Sequence, residues 1–274
     1  MGSHTESFQK IRETLRGEHD HFIDQHRDSL PNFIIIGAAK SATTTLTTIL
    51  PRHPEIFISK PKEPKFFGRF HSKGWEWYAS RFEEGRSFPL RGEASTLYAS
   101  RMKSFRRAPE MMRRTIPDLK LIYIVRHPLD RIISQWRHYR GRNPECANFD
   151  QLLSNRTLQR LVVGCSMYYK HLTAYRKFFP DEQIHCMTFE DLLESPRSSL
   201  NNMLRFLGAK PRARLLLDEQ GNLPRENIAG AKGRGYVERP EWNKKLKRKV
   251  IKKIKPDVSK MLAYMNKPDN YWKL

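Results

Sequence analysis

Residues 37–45 read Gly-Ala-Ala-Lys-Ser-Ala-Thr-Thr-Thr and follow directly on the apolar run Phe33-Ile34-Ile35-Ile36. A strand that runs into small residues, one lysine and four hydroxyls is suited to holding an anion. Backbone N–H groups at the turn and at the opening of the next helix face the ligand. Lys40 adds a point charge, and the hydroxyls of Ser41, Thr43, Thr44 and Thr45 can donate further hydrogen bonds. The competing structural reading is a strand–helix corner whose lysine is simply solvated.

The spacing is not that of a Walker A loop, which needs four residues between its glycines and then Lys-Ser/Thr. Here Ala38 and Ala39 alone separate Gly37 from Lys40, and Ala42 follows Ser41. A second apolar run, Leu121-Ile122-Tyr123-Ile124-Val125, ends in Arg126-His127-Pro128. Pro128 suits the first turn of a helix, which the spacing of Leu129, Ile132, Ile133 and Trp136 continues. In a nucleoside-triphosphate hydrolase the comparable strand would end in an acidic magnesium ligand. An arginine there suits a second anion instead, at the strand end where open parallel sheets bind ligands. Ser134, about two helical turns beyond Arg126, is placed to donate to the same anion. A structural ion pair with a nearby carboxylate is the alternative for Arg126.

Two anion sites without an evident metal ligand resemble those of the sulfotransferases that use 3′-phosphoadenosine-5′-phosphosulfate (PAPS). The chain is most similar to the heparan sulfate N- and 3-O-sulfotransferases and to bacterial sulfotransferases, from about Asn32 to the C-terminus. The resemblance implies a 5′-phosphosulfate loop of Gly37, Ala38, Lys40, Ser41, Ala42, Thr43, Thr44 and Thr45, with Lys40 on the sulfuryl group and bridging oxygen. It implies a 3′-phosphate element of Arg126 and Ser134, and a late loop, Lys232-Gly233-Arg234, closing near the same phosphate. It also implies PAPS as donor, adenosine 3′,5′-bisphosphate as product and no metal requirement. Glu93, in Leu90-Arg91-Gly92-Glu93-Ala94-Ser95, matches the position of a catalytic glutamate and takes the role of general base. A salt bridge that orders the site is the alternative role. Where relatives often carry glycine, this chain has Ala42, which is acceptable if φ there is negative. Where they often carry histidine or lysine it has Lys65 and Ala94, so the base role falls on Glu93, with His127 a distant second.

These residues need a sheet to bring them together. Apolar runs place strands near 33–36, 55–58, 89–93, 120–125 and 183–188, with helices near 43–50, 75–81, 109–115, 128–140, 167–178 and 196–207. The alternation gives an α/β fold in one domain, a P-loop-type parallel sheet flanked by helices on both faces. Residues 1–31 read as a polar helical extension, its helix over 8–29, and 32–274 as the sulfotransferase domain. Trp75, Trp77 and Tyr78 line either an acceptor cleft or the core, and residues 218–239, rich in glycine, read as a loop that orders on donor binding.

The 274 residues carry 51 Lys+Arg against 29 Asp+Glu, a net charge of +22, which attracts polyanions. The densest basic run, 244–255, has Leu246, Val250, Ile251 and Ile254 at helical spacing. It reads as an amphipathic helix with a solvated basic face, or as a surface steering an anionic acceptor. The acceptor class is open between an anionic glycan and a small alcohol or phenol, and no nucleic acid is expected. No apolar run approaches a membrane span. The odd set Cys146, Cys165 and Cys186 forms no disulfide or zinc pattern, which points to the cytoplasm, a trimmed Golgi anchor being the alternative. Two other functions compete: an ATP-dependent P-loop phosphotransferase, and a noncatalytic polyanion-binding module.

Overall fold

The five apolar runs become one parallel sheet in the computed structural model, which describes residues 2–100, 102–224 and 237–274. The strands are β1 (Phe33–Gly37), β2 (Ile56–Ile58), β3 (Leu90–Ala94), β4 (Lys120–Val125) and β5 (Ile184–Thr188). They lie in the order β2-β3-β1-β4-β5. β1 is central, with Ile34 opposite Glu93 of β3 and Ile35 opposite Ile122 of β4. The chain builds one side of the sheet from β2 and β3, then crosses β1 to add β4 and β5. That reversal leaves a crevice beyond the carboxyl end of β1, where such sheets take ligands.

Both faces are covered, which is why the strands read as unbroken apolar runs. Ile34, Ile36, Leu121, Tyr123 and Val125 point into one core, and Phe33, Ile35, Ile122, Ile124 and Met187 into the other. β3 is the exception in composition, because Gly92 and Glu93 interrupt it. Gly92 is required by close approach: a Cβ there would lie 2.2 Å from the Phe33 ring.

The helices are α1 (Gly2–Arg16), α2 (Asp20–Gln25), α3 (Thr43–Ile49), α4 (Gly74–Ser80), α5 (Ala108–Thr115) and α6 (Pro128–Arg140). They continue as α7 (Arg156–Leu158), α8 (Tyr168–Tyr175), α9 (Phe189–Glu194), α10 (Pro196–Leu207) and α11 (Lys244–Tyr264). α3, α9 and α10 cover one face through Leu46, Ile49, Leu192, Leu200 and Met203. α4, α5, α6, α8 and α11 cover the other. The single polar helix expected over 8–29 is instead α1 and α2, broken at Gly17, which adopts φ +90.

The basic run at 244–255 is helical and continues to Tyr264. Leu246, Val250 and Ile254 are buried while Lys244, Lys245, Lys249 and Lys252 are exposed, as an amphipathic helix requires. Its Asp257 accepts hydrogen bonds from the amides of Tyr169 (3.0 Å) and Lys170 (2.8 Å), which ties α11 to the start of α8. The three cysteines are free thiols. No helix among the described residues is long and apolar enough to cross a membrane.

Candidate active site

The loop between β1 and α3 holds Ala38, Lys40, Ser41 and Ala42; Gly37 closes β1, and Thr43, Thr44 and Thr45 form the first turn of α3. The Ala38 amide donates to the Ile124 carbonyl at 2.6 Å, which anchors the loop to the neighbouring strand. Ala42 does not have the negative φ that the sequence reading required. It lies in the left-handed region at φ 64, ψ 16, and Lys40 does too at φ 73, with Ser41 between them outside it. Left-handed residues in a loop before a helix can turn backbone N–H groups toward an anion, while the Ser41 amide itself donates to the Ala38 carbonyl at 3.2 Å. A non-glycine residue in this region costs about 1 kcal/mol or more. Ala42→Gly is therefore expected to stabilise the fold by roughly 1 kcal/mol in urea unfolding.

The second motif meets the first. Arg126 follows β4, and its guanidinium reaches the Lys40 carbonyl at 3.5 Å and lies 4.7 Å over the Phe189 ring. Its own carbonyl accepts from the Tyr168 hydroxyl at 2.8 Å. Beneath the loop lies a third cation, Arg131 on α6, which is 0% exposed. It donates to Ser166 Oγ at 2.6 Å, to the Ala39 carbonyl at 3.4 Å and to the Val162 carbonyl. A fourth, Lys62, follows β2 and donates to Thr44 Oγ1 at 2.8 Å and Thr43 Oγ1 at 3.2 Å. Burial lowers its pKa to about 8, against the raising influence of Glu63.

None of Lys62, Arg126 and Arg131 forms an ion pair with a carboxylate among the described residues. The structural ion pair considered for Arg126 is thus not formed there. Partly and fully buried cations without counter-ions are costly, and an anion in front of the loop relieves that cost. Ser41 Oγ is buried with no hydrogen-bond partner, an exception to the rule that buried hydroxyls are paired. Ser134 sits half-buried on α6. Lys232, Gly233 and Arg234, with most of the expected donor-ordered loop, lie outside the described residues.

Glu93 sits near the end of β3 with no exposure to solvent. Its Oε1 accepts from the hydroxyls of Tyr98 (2.8 Å) and Tyr78 (3.1 Å), and its Oε2 from that of Ser95 (2.7 Å). Burial raises its pKa to about 7, and the three hydrogen bonds oppose that rise. No cation pairs with it among the described residues, so the salt-bridge alternative is not the arrangement found. Tyr78 and Trp75 belong to the core, where Tyr78 stacks on Phe66 at 4.2 Å. Lys65 pairs with Glu63 at 2.8 Å, and Thr96 donates to the same carboxylate at 2.7 Å. His127 is engaged elsewhere: its Nε2 lies 3.0 Å from the Lys273 carbonyl, and its amide donates to Glu190.

Behind Tyr98 runs a basic groove. One cavity of 590 Å³ is lined by Arg156, Arg160, Lys170 and Lys253. A second of 250 Å³ shares Ser100, Lys170 and His171 with it and adds Arg106, Lys177 and Tyr98. Neither has an aspartate or glutamate among its described lining residues. The Tyr175 hydroxyl, which borders the smaller cavity, is buried with no hydrogen-bond partner.

Sequence reading alone did not find Lys62, Arg131 or the hydroxyls around Glu93. Lys62 carried one usable signal: a basic residue just past the carboxyl end of a strand, as at Arg126.

Comparison with known proteins bears on the family and the fold. A sulfotransferase from Alicyclobacillus acidocaldarius superposes with a TM-score of 0.70 at 23% identity, over 89% of this chain and 99% of that one; this likeness concerns the fold. Human heparan sulfate glucosamine 3-O-sulfotransferase 3A1 is 30% identical over 194 residues, 69% of this chain and 47% of its own length. Mouse bifunctional heparan sulfate N-deacetylase/N-sulfotransferase 2 is 26% identical over 278 residues, 89% of this chain and 31% of its own. This chain therefore spans about half the length of the first relative and less of the second. The sulfotransferase domain matches residues 30–256, from just before β1 into α11, and on that match the chain belongs to the sulfotransferase family.

Proposed function

We propose that this protein transfers a sulfuryl group from PAPS to a hydroxyl or amine of an anionic glycan. The observation that carries the reading is the convergence of Lys62, Arg126 and Arg131 on the Lys40 loop without a carboxylate counter-ion among the described residues. When bound, the donor supplies an activated sulfuryl group and a bisphosphate leaving group. Lys40 and the loop amides stand where negative charge develops as the bridging bond breaks, and they stabilise it as an oxyanion hole does. Arg126, at the end of β4, holds the remote phosphate and orients the nucleotide. Glu93 accepts the proton that the acceptor group loses as its oxygen or nitrogen bonds to sulfur. Being fully buried, it would receive that proton through the Tyr98 hydroxyl, which donates to it and belongs to a residue lining the smaller cavity.

The acceptor reading rests on the basic groove beside Tyr98 and on the glycan named in the two relatives. Arg106, Lys170 and Lys177 would bind its acidic groups. Sulfate transfer from labelled PAPS should favour a carboxylated or sulfated glycan over a phenol or a small alcohol. The donor reading is checked by thermal shift. Adenosine 3′,5′-bisphosphate should raise the melting temperature more than ATP with magnesium. A larger shift with ATP and magnesium would favour a phosphotransferase, and equal shifts with all polyanions a binding module. Arg126→Ala is expected to raise the donor KM roughly tenfold to a hundredfold, the scale of a lost charge-assisted phosphate contact. An unchanged KM would remove Arg126 from the donor site.

A further inference from the structure

Lys62 lies outside the loop motif, yet its ammonium is what reaches the loop's hydroxyls, at 2.8 Å for Thr44 and 3.2 Å for Thr43. An ammonium has three protons and no lone pair, so neither threonine can donate back to it. Neither hydroxyl donates to another protein group among the described residues. Both protons are therefore left for whatever stands before the loop. The neighbouring carboxylate favours the protonated amine without pairing to it, because the hydrogen bonds of Glu63 go to Lys65 and Thr96.

We propose that Lys62 is a positioning residue for the 5′-phosphate end of the donor, fixing the hydroxyls of Thr43 and Thr44 as hydrogen-bond donors to it. This rests on the donor-site reading above. A pKa of about 8, lowered by burial, leaves Lys62 largely protonated at neutral pH, so it also adds charge to the cradle. In the sheet order, β3 alone separates β2 from β1, which brings the segment after β2 up to the loop.

Calorimetric titration of the whole chain at pH 7 with adenosine 3′,5′-bisphosphate and adenosine 3′-monophosphate tests this. Lys62→Met should weaken the bisphosphate roughly tenfold or more and leave the monophosphate within about twofold of wild type. Lys62→Arg, which keeps charge and donors, should recover most of the loss. Thr44→Val should reproduce part of it, and the double variant Lys62→Met/Thr44→Val should lose less than the sum of the two singles. If Lys62→Met does not fold, as circular dichroism would show, the comparison passes to Lys62→Arg and Thr44→Val. Thr44→Val weakening the bisphosphate alone then supports the proposal. Equal loss for both nucleotides, or no loss, overturns the role of Lys62, while a wild-type preference for the bisphosphate leaves the donor site standing. A wild-type chain that binds neither nucleotide overturns the donor site and this role with it.

Discussion

Replacing Lys40 by alanine is expected to slow sulfuryl transfer by roughly a hundredfold to a thousandfold, the cost of losing one donor from a preorganised anion-stabilising site. The loss should fall mainly on kcat. Charge on the leaving phosphate grows as the bond to sulfur breaks, so the lysine matters more at the transition state than in the bound complex. Lys40 is left-handed, and alanine in its place meets the same backbone demand, so the fold is expected to survive. Lys40→Met, which keeps most of the side-chain volume, should match the alanine variant. Single-turnover transfer of labelled sulfate measures the effect. A rate within a few-fold of wild type would show that the ammonium plays no part in the chemistry.

The second large effect is expected at Glu93. Glu93→Gln keeps the shape and one acceptor oxygen but cannot take a proton, and general-base contributions of this kind are worth about 10² to 10⁴ in rate. With its carboxyl raised to about 7, wild-type kcat/KM should climb with pH and level off above that value. The glutamine variant should lack that limb. Stability supplies an independent readout. A carboxyl whose folded pKa exceeds its unfolded value of 4.5 binds more protons folded than unfolded between those two values. Wild-type stability should therefore fall as pH rises from about 4.5 to 7 and then stay flat, by roughly 3 kcal/mol from this group. Glu93→Gln should flatten that slope. A variant that lost the slope but kept its rate would assign Glu93 to structure alone.

Much of this was readable before the fold was known, and the division has a physical basis. The strands declared themselves because a sheet buried on both faces needs uninterrupted β-branched runs such as Phe33 to Ile36. The Lys40 loop and Arg126 were readable because each motif is local: a strand, a turn and a helix adjacent in sequence. The break between α1 and α2 was missed because Gly17 interrupts an otherwise polar helical stretch that has no strong apolar stripe. Helix α9 was missed because its six residues follow β5 directly, too short for a period to register. Lys62 meets Thr43 and Thr44 across 18 or 19 positions of chain, and Tyr78 meets Glu93 across 15. Contacts like these exist only once the order β2-β3-β1 is known. The left-handed Ala42 was hidden for another reason: nothing in alanine's chemistry announces a positive φ, which surrounding structure imposes.

The groove behind Tyr98 is walled by α5, α8, α11 and the segment around α7, whereas the nucleotide side is made by the ends of β1, β2 and β4. On the proposed function, different pieces of chain would carry the two halves of the reaction. On that reading, substitutions at Arg106, Arg156, Arg160 or Lys177 should change which molecule is modified and leave donor affinity near wild type, as acceptor screening and donor titration would show. Were the two walls to act in this way, donor grip and target choice would be separable by substitution.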